Sequence, residues 1–229
     1  MIVIGFGYRA RQGKSTAALA ALESCPLDTD VHLYAFADAV RMEVRLACAK
    51  FGGQYELIAA WQEAGLMPPW VHYEEPKPRS LLQWWGTDYR RGQDPDYWIK
   101  RLRRVLDAHT PDVAIITDVR FPNETAAIKE WGGTLVKVSR MSPPDVVVPP
   151  HESETALDAF DGWDCHLEAA SVAEVKTKAA ALYNAIVRGD DLRSCFAGCE
   201  ATVRRGGENP QAGAAGVYLP ARRGLTVTV

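Results

Sequence analysis

The chain has 229 residues, of which 47% are apolar and 24% are charged, a composition typical of one globular domain with some additional sequence. Its formal charge of -3 excludes the broad basic surface of a protein that binds nucleic acid in bulk. The apolar runs stay far below the ~20 residues that a membrane helix needs. Five scattered cysteines predict reduced thiols in a cytoplasmic protein.

Apolar periodicity divides most of the chain into strands and helices. Short apolar runs indicate buried strands, and stretches of strong helix formers indicate helices. In chain order the predicted elements are strand 2–6, helix 15–22, strand 31–36, helix 38–50, helix 54–64, helices 79–91 and 97–109, strand 113–117, helix 123–131, strand 134–139, strand 165–167 and helix 172–187. Strands that alternate with helices predict an α/β domain whose mainly parallel sheet is covered on both faces.

Proline content and a change of composition divide the chain further. Residues 65–78 and 141–150 are rich in proline and predict loops able to close over a site. Residues 52–110 form a mainly helical region inside a domain that runs from 1 to 189. From 190 to 229 the chain is rich in glycine and alanine with weak periodicity, which predicts an appendage that is partly disordered.

Residues 7–16, GYRARQGKST, come close to the phosphate-binding pattern G-x-x-x-x-G-K-[ST]. Five residues instead of four separate Gly7 from Gly13, and Tyr8 stands where the first glycine of the pattern would fall. The stretch is either a phosphate loop with one extra residue or a basic turn that matches by chance. A buried strand before it and an alanine-rich helix after it favour a functional loop, with the extra residue as a bulge on the N-terminal side, away from Lys14.

The residue types of this loop suit a triphosphate and a magnesium ion. Backbone N–H groups near Gly13 would point at phosphate, because glycine lets the backbone come close. The Lys14 ammonium would reach the outer phosphates, and the Ser15 hydroxyl would complete a magnesium shell. Arg9 and Arg11 would flank the phosphates and add positive charge where charge develops during transfer.

Acids and arginines follow three of the predicted strands, at the edge where an open α/β sheet binds ligands. Asp38 and Arg41 come after the second strand, Asp118 and Arg120 after the third, and Arg140 ends the fourth. Each aspartate has a plain alternative role as a helix cap. Three strands that all end in an acid or an arginine nevertheless favour a site for phosphoryl transfer, where a carboxylate orders magnesium-bound water and arginines stabilise migrating charge.

Residues 79–104 combine five aromatic side chains with seven arginines or lysines. Nucleic-acid binding is one interpretation, since aromatic rings stack on bases and cations meet phosphates. On a helix, however, the apolar residues share one face and are more simply core. A pocket for a single nucleotide fits better, with Arg79 and either Arg90 or Arg91 at its phosphate and Gln83 at a base edge.

Several pieces of the sequence carry a family resemblance when they are taken in order. The pieces are GYRARQGKST, FADAVR, LLQWWGTDYRR with DPDYWI, TDVRFPNE with the following GG, VKVSR and HESE, and they lie between residues 2 and about 188. Together they resemble the phage-type deoxynucleoside monophosphate kinases of the P-loop nucleoside monophosphate kinase superfamily. The resemblance implies a three-layer P-loop sandwich with a five-stranded sheet and a helical insertion that binds the acceptor.

The same resemblance implies transfer of the γ-phosphate of ATP to a deoxynucleoside 5′-monophosphate, with Mg²⁺ as a cofactor. It places the protein in the host cytoplasm if a phage encodes it, and it suggests a homodimer. It implies that ATP is held by Arg9, Gly13, Lys14, Ser15, Thr16 and Arg140. It implies that the acceptor is held by Asp38, Arg41, Arg79, Gln83, Thr87, Arg90 and Arg91. It implies catalytic roles for Arg11, Lys14, Asp38, Asp118 and Arg120, with Ser15 and Asp118 at the metal.

Two departures from the family and several alternatives remain. Family loops often carry aspartate after the lysine, whereas this chain has Ser15, and nothing beyond residue 189 matches. The alternatives are a P-loop kinase for another small acceptor, such as dephospho-coenzyme A or a shikimate-like compound, a nucleotide-dependent nucleic-acid or motor protein, and a nucleotide switch without turnover. We expect small deoxynucleotides as partners, without stable nucleic-acid binding or membrane association. His151 is either a ligand contact or a surface residue.

Overall fold

The computed structural model describes residues 1–141, 151–190 and 192, and these contain a parallel sheet between two layers of helices. The strands are β1 (Ile2–Gly7), β2 (Val31–Tyr34), β3 (Val113–Val119), β4 (Thr134–Arg140) and β5 (Cys165–Ala169). They lie in the order β2-β3-β1-β4-β5, and every neighbouring pair is parallel. The predicted α/β class with a five-stranded sheet is therefore confirmed.

Helices connect the strands and cover the sheet. They are α1 (Lys14–Glu23), α2 (Phe36–Phe51), α3 (Gln54–Glu63), α4 (Arg79–Gln83), a π-helical segment (Trp84–Arg91), α5 (Tyr97–His109), α6 (Pro122–Glu130), α7 (Glu152–Thr155) and α8 (Val172–Arg188). The helices between β2 and β3 form the mainly helical region that the sequence predicts. Among the described residues, no helix is long and apolar enough to cross a bilayer.

Each face of the sheet has its own hydrophobic core, because successive side chains of a strand point to opposite sides. Ile4 and Phe6 of β1 pack with α1 and α8, in a cluster that includes Ala17 and Leu182. Val3 points the other way, into a cluster built from α2 to α6 that includes the fully buried Trp98. This division produces the three layers that the sequence predicts.

Most element ends differ from the sequence predictions by one or two residues, and three of the differences have a clear local reason. β2 ends at Tyr34 rather than at residue 36, because the N–H groups of Phe36 and Ala37 already begin α2. β3 continues to Val119, so Asp118 lies inside the strand instead of closing it. The predicted single helix over 79–91 changes from α-helical to π-helical geometry at Trp84.

The strand order determines where a ligand can bind. β1 lies in the middle of the sheet, with β3 on one side and β4 on the other, so the chain moves in opposite directions from it. Parallel sheets bind ligands at such a switch point, beyond the carboxyl ends of the strands. The loop after β1 therefore lies in the crevice. Except for residue 192, the predicted appendage after Asp190 is outside the described residues, and so is most of the predicted loop at 141–150.

Candidate functional site

The loop after β1 turns sharply around backbone conformations that L-residues rarely adopt. Tyr8 has a φ of 97° and Gly13 a φ of 98°, both in the left-handed region. Tyr8 thus takes the conformation expected of the first glycine in the phosphate pattern, and the loop from Tyr8 to Gly13 has the usual length. Counted from Tyr8 the loop needs no bulge, because Gly7 is the last residue of β1. The irregularity nearby lies in the sheet, where Gly5 pairs with Ile116 and Gly7 with Val119, so β3 has one more residue than β1 between these pairs.

The loop ends at the start of α1, with Lys14 folded back beneath it. Gly13 precedes the helix, whose first N–H groups face the crevice. The Lys14 ammonium is buried and donates hydrogen bonds to the carbonyl oxygens of Tyr8 (2.9 Å) and Arg9. Burial lowers its pKa from 10.5 to about 7, and the positive charge of Arg120 adds to this effect. A lysine held in this way is ready to turn towards an arriving anion.

A cavity of about 740 Å³ opens around the loop and the start of α1. On its far side it is bounded by the end of β5 and the start of α8. Its lining includes ten of the predicted residues: Arg11, Gly13, Lys14, Ser15, Thr16, Asp38, Arg41, Asp118, Arg120 and Arg140. Gln12 links the loop to the end of β4, because its Oε1 accepts a hydrogen bond from the backbone N–H of Arg140 at 2.8 Å.

A second cavity of about 360 Å³ lies on the other side of the crevice, against the helical region. Its walls combine apolar side chains of α2 and α5 with polar ones of α4 and the π-helical segment. The predicted acceptor residues in its lining are Arg41, Arg79, Gln83, Thr87 and Arg91. A mostly apolar pocket with a few convergent polar groups suits a base and its phosphate.

The two cavities adjoin, and positive charge collects at their boundary. Both are lined by Arg11, Arg41, Lys77, Asp118 and Arg120. Desolvation lowers the pKa of Lys77, and the neighbouring arginines lower it further. Four cations around one acid form a place where two sets of phosphates can meet.

Asp118 has the structural role that its alternative interpretation predicts. Its Oδ1 accepts a hydrogen bond from the N–H of Phe36 (2.8 Å) and its Oδ2 one from the N–H of Ala37 (2.9 Å), so it caps α2 from β3. Desolvation raises its pKa, while these hydrogen bonds and Arg120 act in the opposite direction. Asp118 lines both cavities, and each of its carboxylate oxygens has a further lone pair beyond the one used in capping. Capping and a role at a metal are therefore compatible.

Asp38 and Arg41 are paired with each other on the first turns of α2. The Arg41 Nη1 lies 2.5 Å from the Asp38 Oδ1, and both side chains are about half exposed. Such an exposed pair contributes little to stability. Both groups are free to exchange partners when a charged ligand enters.

Two of the predicted site residues, Arg9 and Arg90, line neither cavity. Arg9 forms a two-pronged ion pair with Asp158, at 2.8 and 2.6 Å, and does not line either cavity. Arg90 donates from its Nε to Glu43, the carboxylate that also accepts from Trp85. Of the two arginines left open at the acceptor, Arg91 is the one that lines the cavity.

Arg91 is held in place by a buried acid that the sequence did not single out. The Arg91 Nη2 donates to Glu124, and its guanidinium stacks on Phe121 with 3.9 Å to the ring centre. Burial raises the pKa of Glu124 to about 7, and the positive charge of Arg91 acts in the opposite direction by favouring the ionised carboxylate. The same carboxylate accepts the backbone N–H of Arg120 at 2.7 Å. Glu124 thus binds the side chain of Arg91 and the backbone of Arg120.

The HESE segment also contributes to the site. His151 caps α7, because its Nδ1 accepts the N–H of Ser153 at 3.2 Å. Glu154 accepts hydrogen bonds from Ala10 in the loop after β1 and from Arg120, and it lines the second cavity. Lys77 carried no signal in the sequence, whereas Glu124 and Glu154 lie in TDVRFPNE and HESE, two of the pieces that carried the family resemblance.

Comparison with known proteins supports the resemblance that the sequence predicts. The chain is 31% identical over 116 residues to the deoxynucleoside-5′-monophosphate kinase of Escherichia phage T5, which covers 48% of this chain and 44% of that protein. The chain is similar to viral deoxynucleotide kinases. A provisionally named deoxynucleotide monophosphate kinase of Acanthamoeba polyphaga mimivirus is 34% identical over 99 residues, covering 38% of this chain and 50% of that protein.

The similarity to these two kinases covers only part of each protein. The chain spans about half the length of these curated relatives, and no protein-family model matches it. Among solved structures, an unliganded sugar kinase from Janibacter sp. HTCC2649 covers 83% of this chain and 99% of its own, with a TM-score of 0.43 and 11% identity. That likeness is too low to bear on fold or activity.

Proposed function

We propose that the protein is an ATP-dependent deoxynucleoside monophosphate kinase, which converts a deoxynucleoside monophosphate and ATP into the diphosphate and ADP. The observation that carries this proposal is the pair of adjoining cavities with shared cations at their boundary. One cavity contains the phosphate loop, and the other has the size and polarity for a nucleotide. The names of the two viral relatives support the same activity.

The cavity around the phosphate loop would hold ATP. The N–H groups at the start of α1 would bind its phosphates, with Lys14 leaving the carbonyls of Tyr8 and Arg9 to reach the outer ones. Arg140 and the start of α8 would face the nucleoside. The Ser15 hydroxyl and the remaining lone pairs of Asp118 fit a magnesium ion that shares its shell with phosphate oxygens and water. The ion would neutralise charge on the phosphates.

The second cavity would hold the acceptor with its phosphate towards the shared cations. Arg79, Arg91 and Arg41 would bind that phosphate, and Gln83 and Thr87 would contact the base or sugar. The acceptor phosphate is already ionised at neutral pH, so the protein needs no strong general base. Catalysis would come from in-line positioning and from charge stabilisation by Lys14 and the arginines.

An ADP-release assay with ATP, magnesium and each of the four deoxynucleoside and four ribonucleoside monophosphates tests the proposal. We expect turnover with at least one deoxynucleotide, well above the background with water alone. The Lys14→Ala variant should lower kcat by orders of magnitude while it remains folded. Turnover confined to other small acceptors would replace this proposal by a P-loop kinase of different specificity.

A further inference from the structure

The carboxylate of Glu154 occupies the space between the phosphate loop and Arg120. Its Oε2 accepts a hydrogen bond from the N–H of Ala10 at 2.6 Å, and its Oε1 accepts one from the Arg120 Nη1. The Glu154 side chain is only 14% exposed and that of Arg120 is 24% exposed. A loop N–H group and a guanidinium are therefore directed at the same anionic group.

This arrangement is the one that a phosphate loop offers to phosphate. Successive loop N–H groups form a concave site for an anion, and arginine pairs with phosphate as readily as with carboxylate. Ala10 lines both cavities, so its N–H lies near their boundary, where the outermost phosphate would pass from one ligand to the other. In this structure the carboxylate of Glu154 takes that place.

The segment that carries Glu154 is packed in place. The segment 151–163 is anchored by Leu157 and Trp163, which are 3% and 2% exposed. From the loop side, Arg9 pairs with Asp158 of the same segment through two hydrogen bonds. These contacts hold the segment against the phosphate loop from both sides, so the contact of Glu154 with the loop belongs to a packed arrangement.

We propose that Glu154 is a placeholder for the transferred phosphoryl group. It is a positioning residue that keeps Arg120 directed at the phosphate loop until phosphate arrives and displaces its carboxylate. This inference rests on the proposed function, because it assigns the place to the outer phosphate of ATP. Displacement of Glu154 must then weaken the binding of a triphosphate, whereas a diphosphate that ends short of the boundary leaves Glu154 in place.

Equilibrium binding of β,γ-imido-ATP and of ADP, measured by calorimetry with magnesium, tests this difference. We expect Glu154→Gln to lower the Kd for β,γ-imido-ATP about three- to tenfold, the effect of replacing competing charge-assisted hydrogen bonds by weaker neutral ones. The Kd for ADP should stay within about twofold. Glu152→Gln is the matched control, because Glu152 is exposed on the same short helix. It removes the same charge, and it should leave both Kd values unchanged.

The ratio of the two Kd values separates this role from a structural one, since loss of structure would weaken the binding of both nucleotides. Glu154→Asp, which keeps the charge but withdraws the carboxylate from Ala10, should change the ratio in the same direction. An unchanged ratio, weaker binding of β,γ-imido-ATP to Glu154→Gln, or an equal gain from Glu152→Gln would overturn the assignment of Glu154 alone. Failure of both nucleotides to bind the unsubstituted protein would overturn the proposed function as well.

Discussion

The lowered pKa of Lys14 predicts that the protein takes up a proton when it binds a nucleotide. Burial lowers the pKa of its ammonium from 10.5 to about 7. Bound phosphates would raise that pKa again, because an adjacent negative charge favours the protonated form. The affinity for the nucleotide should therefore be highest below pH 7 and should fall as the pH rises through 7. Uptake should be about half a proton at pH 7 and nearly one proton at pH 8.5.

The size of the effect is large enough to measure directly. Between about pH 7.5 and 9 the affinity for β,γ-imido-ATP should fall about tenfold per pH unit, or about 1.4 kcal/mol. Calorimetry in two buffers of different ionisation heat gives the proton uptake. The measurement is best made at pH 8.5, because Glu124, with a pKa of about 7, is then ionised before and after binding. Uptake should vanish in Lys14→Met. Uptake near zero at pH 8.5 in the unsubstituted protein would refute the reasoning.

Two further predictions concern the acceptor cavity and the loop. Arg79→Met should raise KM for the deoxynucleotide about tenfold or more through loss of one charged hydrogen bond, whereas Arg104→Met, an exposed position on α5, should leave KM unchanged. Equal KM values in the two variants would remove Arg79 from the site. Gly7→Ala would place a methyl carbon 2.4 Å from the Trp163 ring and should lower the free energy of unfolding by about 1–3 kcal/mol in denaturant titrations. Gly92→Ala is its control, because the described residues leave space there. Equal stability of the two alanine variants would contradict the packing argument.

Local patterns predicted most of the fold because they depend on neighbouring residues. α5 begins and ends at Tyr97 and His109 as its sequence pattern predicts, since its apolar positions recur with α-helical period. The succession of β1, a glycine-containing turn and α1 was predicted from an apolar run, the loop motif and helix propensity, which are all local. The strand order, by contrast, depends on pairing between distant segments, and the sequence contains no direct sign of it.

The features of the site that the sequence did not predict depend on long-range contacts or on unusual backbone geometry. The sequence offered helix capping as one role for Asp118, but the helix that it caps lies more than 80 residues away, and its neighbours in sequence do not indicate which helix that is. The choice between Arg90 and Arg91 depends on the π-helical segment, because its wider turn changes which residue faces the cavity. Lys77 comes from an irregular loop. Only the packed structure brings these groups to one boundary.

The central claim is direct transfer of phosphate between the two cavities. Incubation with ATP labelled at the γ-phosphate, magnesium and each deoxynucleoside monophosphate, followed by separation of the nucleotides, tests it most directly. The account predicts that the label appears in the deoxynucleoside diphosphate and that Lys14→Ala abolishes this product. Label released only as inorganic phosphate, at the same rate with and without a deoxynucleotide, would contradict the account.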